Sequence, residues 1–549
     1  MTQAHAPEPV SFTGKLGVFA AYPDHTLISF YVEGKDLYEW NNTSLPQRLY
    51  FRRSVDHGLN WGEPELAYQF PAEPGAVKMM DLDVAAIVDT EGTMHVYGFT
   101  VLNWDAEVPY RERIVKMWHL FSRDGRRAWQ GPELIDYGHR YTGSLNALIQ
   151  LSNGRMVMPF SYLSDRATGC FVSEVILSDD NGYTWRNAGA DLVIDNGGGA
   201  IESGAVEPVA IELEDGRIWM VIRTQTGRLY ESYSSDRGES WTVPEPTAFI
   251  ASNAPAGLLK LRDNRIMMCW NHSKCEPIRH GISYSRQSLV AAVRESDGTW
   301  RGYREIVGLD REQDADHSLC YPWMSELGDG NVLVGYLSVH LRDWKGTVKF
   351  QMTRVNPEWV IQTSMREQWE QGVEASTVTS DGIEIRVGED GGRALCLTKK
   401  HEGLPVGITR NFPIAKKGEL TCRILLEEPF GGAYIALSEA FLKPEDRQGG
   451  LFRLKLEANG SVAVQYMNEG PYHSLRTNVK LERGKYVDVR IYWDCRHEHA
   501  NLYLDNVCVG VLPQLEQGKG ISYIRIHMAE AGGELRVESI NTVSLDVYA

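Results

Sequence analysis

The chain has 549 residues, more than one ordinary core holds, so two domains are the natural expectation. A formal net charge of -17 argues against a surface that coats nucleic acid, while leaving room for a small basic pocket. No run of 18 apolar residues occurs and the opening MTQAHAPEPVSF lacks a basic stretch followed by an apolar one, so no membrane span and no secretory leader are expected. The expected location is the cytoplasm, or outside the cell if a leader has been removed.

The first element is an apolar hairpin, LGVFAAYPDHTLISFYV, over residues 16–32. It leads into an octet, Ser-x-Asp-x-Gly-x-x-Trp, at Ser54–Trp61. Intact copies recur at Ser178–Trp185 and Ser234–Trp241, with degenerate ones at Ser122-Arg123-Asp124-Gly125 before Trp129 and at Ser296-Asp297-Gly298 before Trp300. The Asp positions are separated by 68, 56, 56 and 61 residues. Each part suits a tight hairpin. The carboxylate accepts backbone N–H groups across the turn, the Gly supplies a positive φ, and the Trp anchors the turn from below.

A second repeat interleaves with the first. Apolar runs flank short polar turns at Gly92, Gly154, Gly216, Asn264 and Gly330, spaced 62, 62, 48 and 66 residues apart. These read as strand–turn–strand hairpins. One unit of about 60 residues with four strands is the pattern of a propeller blade. Five such units plus the N-terminal hairpin predict a six-bladed β-propeller over residues 1–355.

The octet then stops. NPEWVIQTSMREQWEQG reads as part of a connector over 356–374, and residues 375–549 carry long alternating runs such as GLFRLKLEANGSVAVQYM and KYVDVRIYWD. An antiparallel β-sandwich is expected there, making the whole chain all-β. Trp493 and Tyr503 are expected in its core rather than on a glycan. The eight cysteines (Cys170, Cys269, Cys275, Cys320, Cys396, Cys422, Cys495, Cys508) form no C-x-x-C pair, so reduced, mostly buried thiols are expected, with no metal site and no cofactor.

The octet is similar to the Asp-box, or BNR repeat, of the sialidase (neuraminidase) superfamily. The stretch Val487–Gly510 resembles laminin-G and concanavalin-like domains, which implies a lectin-like sandwich. The superfamily resemblance, over roughly residues 10–350, implies a set of site residues. Val206-Glu207-Pro208, with Arg223 sixteen residues after the Glu, resembles the stretch carrying a catalytic Glu and a substrate Arg. Leu319-Cys320-Tyr321-Pro322-Trp323 resembles the one carrying a nucleophilic Tyr. Arg286 stands where another substrate Arg is expected, and Asp83 matches a pocket Asp, with Asp81 and Asp89 as alternatives. Two positions depart from the pattern. Lys15 stands where the Arg of an Arg-Ile-Pro motif belongs, and Asn42 stands where the acid/base Asp belongs. Asp36, Glu39, Asp83 or His139 are then the candidates for the acid. His272, His280 and His317 are lesser ones.

The resemblance implies an exo-acting glycosidase that retains anomeric configuration, acting on a glycan or oligosaccharide substrate with a terminal acidic sugar. A sialoside carries a carboxylate at its anomeric carbon, so a neutral phenol suits the attack better than a carboxylate does. The alternatives are a propeller glycosidase or polysaccharide lyase for another uronic or deoxy sugar, such as rhamnose/uronate linkages, and a non-catalytic glycan-binding propeller. No nucleic-acid partner and no membrane association are expected. Assembly is left open, with a homodimer through a sandwich face as one option.

Overall fold

The computed structural model describes residues 4–33, 47–71, 84–101, 112–123, 128–139, 145–164, 170–194, 203–274, 285–309, 317–340, 348–379, 381–389, 391–446, 449–465 and 474–546. The chain divides into two compact units. The first comprises residues 1–271, 275–286 and 316–357, and the second 272–274, 287–315 and 358–549.

Six sheets, each built on a path of four strands, make a six-bladed propeller. Blade one is Phe19–Ala21, Leu27–Glu33, Arg48–Ser54 and Glu65–Gln69. Blade two is Val84–Val88, Met94–Val101, Val115–Ser122 and Gln130–Ile135. Blade three is Ile149–Gln150, Met156–Leu163, Cys170–Ser178 and Arg186–Asn187, with Ser203–Gly204 added in parallel. Blade four is Val206–Glu212, Ile218–Arg223, Arg228–Ser234 and Glu245–Ile250. Blade five is Gly257–Lys260, Ile266–Trp270, Ser288–Arg294 and Trp300–Gly308.

Blade six takes three strands, His317–Glu326, Val332–His340 and Lys349–Val355, from the end of the propeller sequence. Its fourth is Glu8–Val10 from the start of the chain, paired Glu8 to Arg354 and Val10 to Met352. The chain thus closes its own ring, which leaves fewer unpaired strand edges. The first strands of successive blades lie side by side: Phe19–Ala21 neighbours both Val84–Val88 and His317–Glu326, and Gly257–Lys260 neighbours both Val206–Glu212 and His317–Glu326.

The apolar alternation seen in the sequence fills the slices between blades. Phe30 and Phe51 of blade one pack with Met94, Val96 and Leu120 of blade two, and Val157 and Val175 of blade three pack with Ile218 and Met220 of blade four. A fully buried side chain of this kind contributes about 1.5–3 kcal/mol.

Both repeats found in the sequence are turns. The hairpins at Gly92, Gly154, Gly216, Asn264 and Gly330 place each of these residues at φ between 71 and 91°. Each donates its backbone N–H to a carbonyl three residues back, at 2.8–3.1 Å. Asn264 takes the left-handed conformation that Gly takes in the other four, and Asn tolerates it better than most residues.

The three intact octets fold alike. In the third, Ser234 Oγ donates to Asp236 Oδ1 (2.8 Å) and accepts from Gly238 N (2.8 Å), Ser240 N donates to Asp236 Oδ1 (2.9 Å), and Trp241 Nε1 donates to Gly238 O (3.1 Å). Gly182 in the second copy has φ 85°, and a Cβ there would stand 2.2 Å from Tyr97 Oη on the preceding blade. Both conformation and space demand Gly at that position.

The second unit contains two large sheets. One of eight strands is centred on Gly533–Asp546, flanked by Arg393–Lys399 and Lys417–Leu426. The other, of seven strands, is centred on Ile521–Met528 between Gly407–Ala415 and Ala433–Ser438. One apolar core joins them, with Leu395, Leu420 and Ile491 from the first sheet and Ile408, Ile435 and Ile524 from the second. This is a β-sandwich. Within 356–374, Ser364–Glu367 is a strand paired with Gly533–Asp546, and Trp369 is fully buried with its Nε1–H on Val537 O at 2.7 Å. Trp493 is buried in the same core. Tyr503 is half-buried beneath the Arg490 guanidinium.

Candidate active site

Glu207 is the second residue of the first strand of blade four, and the register pairs Val206 with Arg223 at the end of the second strand. The hairpin therefore returns Arg223 to the level of Glu207. A bulge between Val206 and Val209 interrupts this pairing, and Glu207 sits in it with φ 44°. Tyr321 occupies a matching bulge between Cys320 and Trp323 in the first strand of blade six, with φ 56°. Bulges re-aim side chains at such places, and positive φ in non-Gly residues costs about 1–3 kcal/mol each.

The two bulges bring the side chains together. Tyr321 Oη donates to Glu207 Oε1 at 2.9 Å, and Arg223 Nη1 donates to Glu207 Oε2 at 2.5 Å and reaches Tyr321 Oη at 3.3 Å. Glu207 and Arg223 are buried, and Tyr321 is half-buried. Burial pushes the Tyr321 phenol well above its usual range, and the Glu207 charge adds to this while Arg223 and Arg286 oppose it. The resting phenol is therefore protonated, with a carboxylate beside it to take the proton.

Arg286 is buried just before the third strand of blade five, and its carbonyl accepts from Leu319 N at 2.8 Å. Its guanidinium carbon lies 5.8 Å from the Tyr321 ring centroid, and its Nη1 reaches Cys320 Sγ at 3.6 Å. Asn253 joins the two arginines. Its Oδ1 accepts from Arg223 Nε at 2.6 Å, and its carbonyl accepts from Arg286 Nε at 3.2 Å and from Arg286 Nη2. Ser161 Oγ accepts the Glu207 N–H at 3.1 Å, fixing the bulge against blade three. Asn253 and Ser161 carried no sequence signal: nothing in a lone Asn or Ser distinguishes a buried bracket from a turn.

Among the described residues His139 makes no direct contact with this cluster. Its Nε2 meets Glu174 Oε2 at 2.6 Å and its ring stacks on Tyr162, centroids 3.5 Å apart. Lys15 is exposed, and among the described residues no contact joins it to Glu207, Arg223 or Tyr321. Asp83, Asp81, Asp36, Glu39, Asn42 and His280 lie outside the described residues. Asp89 is buried in the blade-two hairpin, where it accepts from Thr93 N at 2.8 Å and meets His95 Nε2 at 3.0 Å. His272 is buried with its Nε2 on the Glu439 carbonyl at 2.9 Å, and His317 bonds Ser338 Oγ at 2.6 Å.

Among the described residues no group of three or more His, Cys, Asp or Glu is placed to hold a metal. Six described cysteines are free thiols, five of them buried and Cys508 exposed, while the side chains of Cys170 and Cys275 lie outside the described set.

Among solved structures, the chain is similar to a Dyadobacter fermentans protein of unknown function, at 18% identity and a TM-score of 0.49, covering 64% of this chain and 98% of that one. It is similar to Trypanosoma rangeli sialidase at 13% identity and a TM-score of 0.45, covering 98% of this chain and 92% of that one. It is also similar to a leech intramolecular trans-sialidase at 14% identity and a TM-score of 0.46, covering 65% and 71%. These likenesses assign no residue a role. A comparison with curated proteins finds no match. A family model described as a BNR repeat-like domain matches residues 49–334, the stretch that holds both turn repeats, Glu207, Arg223, Arg286 and Tyr321. That match spans more than half of the chain, and the protein belongs to the BNR repeat-like domain family.

Proposed function

We propose that the protein is an exo-acting, retaining glycoside hydrolase of the sialidase type, which removes a terminal acidic sugar from a glycan with Tyr321 as its nucleophile. The observation that carries this reading is the hydrogen bond from Tyr321 Oη to Glu207 Oε1 at 2.9 Å, with Arg223 touching both groups. A merely structural Tyr needs one acceptor and no cation.

The chemistry follows from the contacts. As the phenol oxygen attacks the anomeric carbon, its proton passes to Glu207. Arg223 Nη1, 3.3 Å from that oxygen, stabilises the charge that develops on it. Arg223 and Arg286 are the candidate partners for the sugar carboxylate, to which a guanidinium presents a planar fork. Lys15 and Asp83 stay candidates for further substrate contact. The neutral phenol avoids the repulsion that a carboxylate nucleophile meets beside an anionic anomeric carbon.

The test is turnover of a panel of sialosides and other acidic or deoxy glycosides by the wild type, Tyr321→Phe and Glu207→Gln. Release of a saturated acidic sugar by the wild type is expected, with kcat lowered about 10²-fold or more in both variants. A product absorbing in the ultraviolet would replace hydrolysis with elimination. Silence of the wild type on the whole panel would favour a glycan-binding propeller.

A further inference from the structure

Among the described residues, the contacts of the Tyr321–Glu207–Arg223 cluster include no further carboxylate or imidazole to protonate the leaving group. Blade three carries an ionisable pair at the same end of the propeller. Arg223 ends the second strand of blade four, and Tyr162 stands at the end of the second strand of blade three. Along that strand Ser161 accepts the Glu207 N–H, while its neighbours Phe160 and Tyr162 turn to the opposite face and pack against His139, with centroids 5.9 and 3.5 Å away. His139 and Glu207 therefore flank one strand end.

The imidazole is held by Glu174 and Tyr162. Glu174 lies on the next strand, in register with Phe160, and its buried carboxylate takes His139 Nε2 at 2.6 Å. Tyr162, on which the ring stacks, is itself tied through its hydroxyl to Asp191 Oδ1 at 2.7 Å. The His139 side chain is 23% exposed, and its Nδ1 makes no hydrogen bond among the described residues. Among the described residues one ring nitrogen is thus clamped and the other has no hydrogen-bond partner, which is how a carboxylate orients a His for proton transfer. A buried carboxylate is costly without a partner, so Glu174 holds the ring where it is.

We infer that His139, positioned by Glu174, is the general acid and base of the site. This rests on the Tyr321 reading above. In the first step the Tyr321 oxygen bonds to the anomeric carbon and the glycosidic C–O bond breaks. The phenol proton goes to Glu207, and the Nδ1 proton of the His139 imidazolium goes to the departing oxygen. In the second, water attacks the anomeric carbon and gives a proton to His139, the bond to Tyr321 breaks, and the phenolate recovers its proton from Glu207.

Two glycosides with the same glycone test this, one with a nitrophenyl leaving group and one with a sugar aglycone. A nitrophenolate leaves without protonation, whereas a sugar alkoxide does not. His139→Gln is expected to lower kcat/KM about 10²-fold or more on the sugar aglycone and to leave the nitrophenyl glycoside within a few-fold. Glu174→Gln should show the same selectivity at smaller size, because it acts through the ring. Equal losses on both substrates, or none, with Tyr321→Phe inactive, overturn the assignment of His139 alone. Full activity of Tyr321→Phe, or turnover of neither glycoside by the wild type, overturns the reading beneath it as well.

Discussion

Glu207 and Tyr321 each hold a positive φ, 44 and 56°, at a bulge in the first strand of their blade. Two non-Gly residues in that region, facing one another across a part-buried hydrogen bond, are strained positions that the surrounding contacts must hold. Arg223 is the main one of these contacts, since its Nη1 reaches both side chains and its Nε is fixed by Asn253. Arg223→Met leaves the Glu207 carboxylate buried without this cation, and the expected cost is about 3–5 kcal/mol in urea unfolding. Adding Glu207→Gln to that variant should recover part of the loss, because the stranded charge is gone. A loss confined to activity, with stability unchanged, would contradict the structural part of this account. The Glu207–Arg223 pair was legible through its resemblance to a known stretch, and a hairpin that returns residues on either side of a turn to one level accounts for its spacing. Tyr321 was also legible through a motif. The bulges, Asn253 and Glu174 were not legible, since each depends on a neighbour far away in the chain.

At the scale of the element, the propeller repeats one hairpin turn. Leu151, Leu213, Leu261 and Leu327 begin this turn in blades three to six, Tyr22 begins it in blade one, and Asp89 begins it in blade two. The buried Asp is satisfied by His95, whose Nδ1 meets His119 Nε2 at 3.0 Å, and the His119 ring stacks on Tyr97 with centroids 4.3 Å apart. Burial, helped by the proximity of His95, pushes His119 down from 6.5 to about 3. The unfolded chain therefore binds a proton that the fold refuses as pH falls from 6.5 to about 3, and stability is lost across that window. The expected slope is about 1.4 kcal/mol per pH unit for one such group. Urea unfolding at stepped pH should show it, and His119→Phe should flatten it; an unchanged slope would sink the assignment.

A second acid-sensitive set lies in the octet turns. Burial raises Asp56, Asp180 and Asp236, but side-chain and backbone donors across each turn outweigh it and hold all three below 3.8. Their contribution is present above the unfolded value and is lost only as pH falls below it, so it adds to the acid limb after His119. These turns were the most legible part of the sequence, because Ser, Asp, Gly and Trp each act within eight residues. The Asp89–His95–His119 chain was not, since it links a turn to two strands through side chains with no shared motif.

At the scale of the whole chain, period predicted architecture. Repeats of about 60 residues foretold six blades, and the alternating runs after them foretold a sandwich. Repetition could not foretell that Glu8–Val10 closes the sixth blade, because three residues carry no period. Nor did it reveal Ser364–Glu367 and Trp369 as parts of the second unit, whose pairing partner lies at residues 533–546. The central claim concerns one atom, the Tyr321 phenol oxygen held on Glu207. The most direct measurement is peptide-mapped mass spectrometry after incubation with an activated sialoside bearing fluorine beside the anomeric carbon, which slows the second step. The account predicts one glycosyl unit on the peptide containing Tyr321 and none on Tyr321→Phe. Turnover of the parent sialoside with no adduct, or an adduct on another residue, would contradict it.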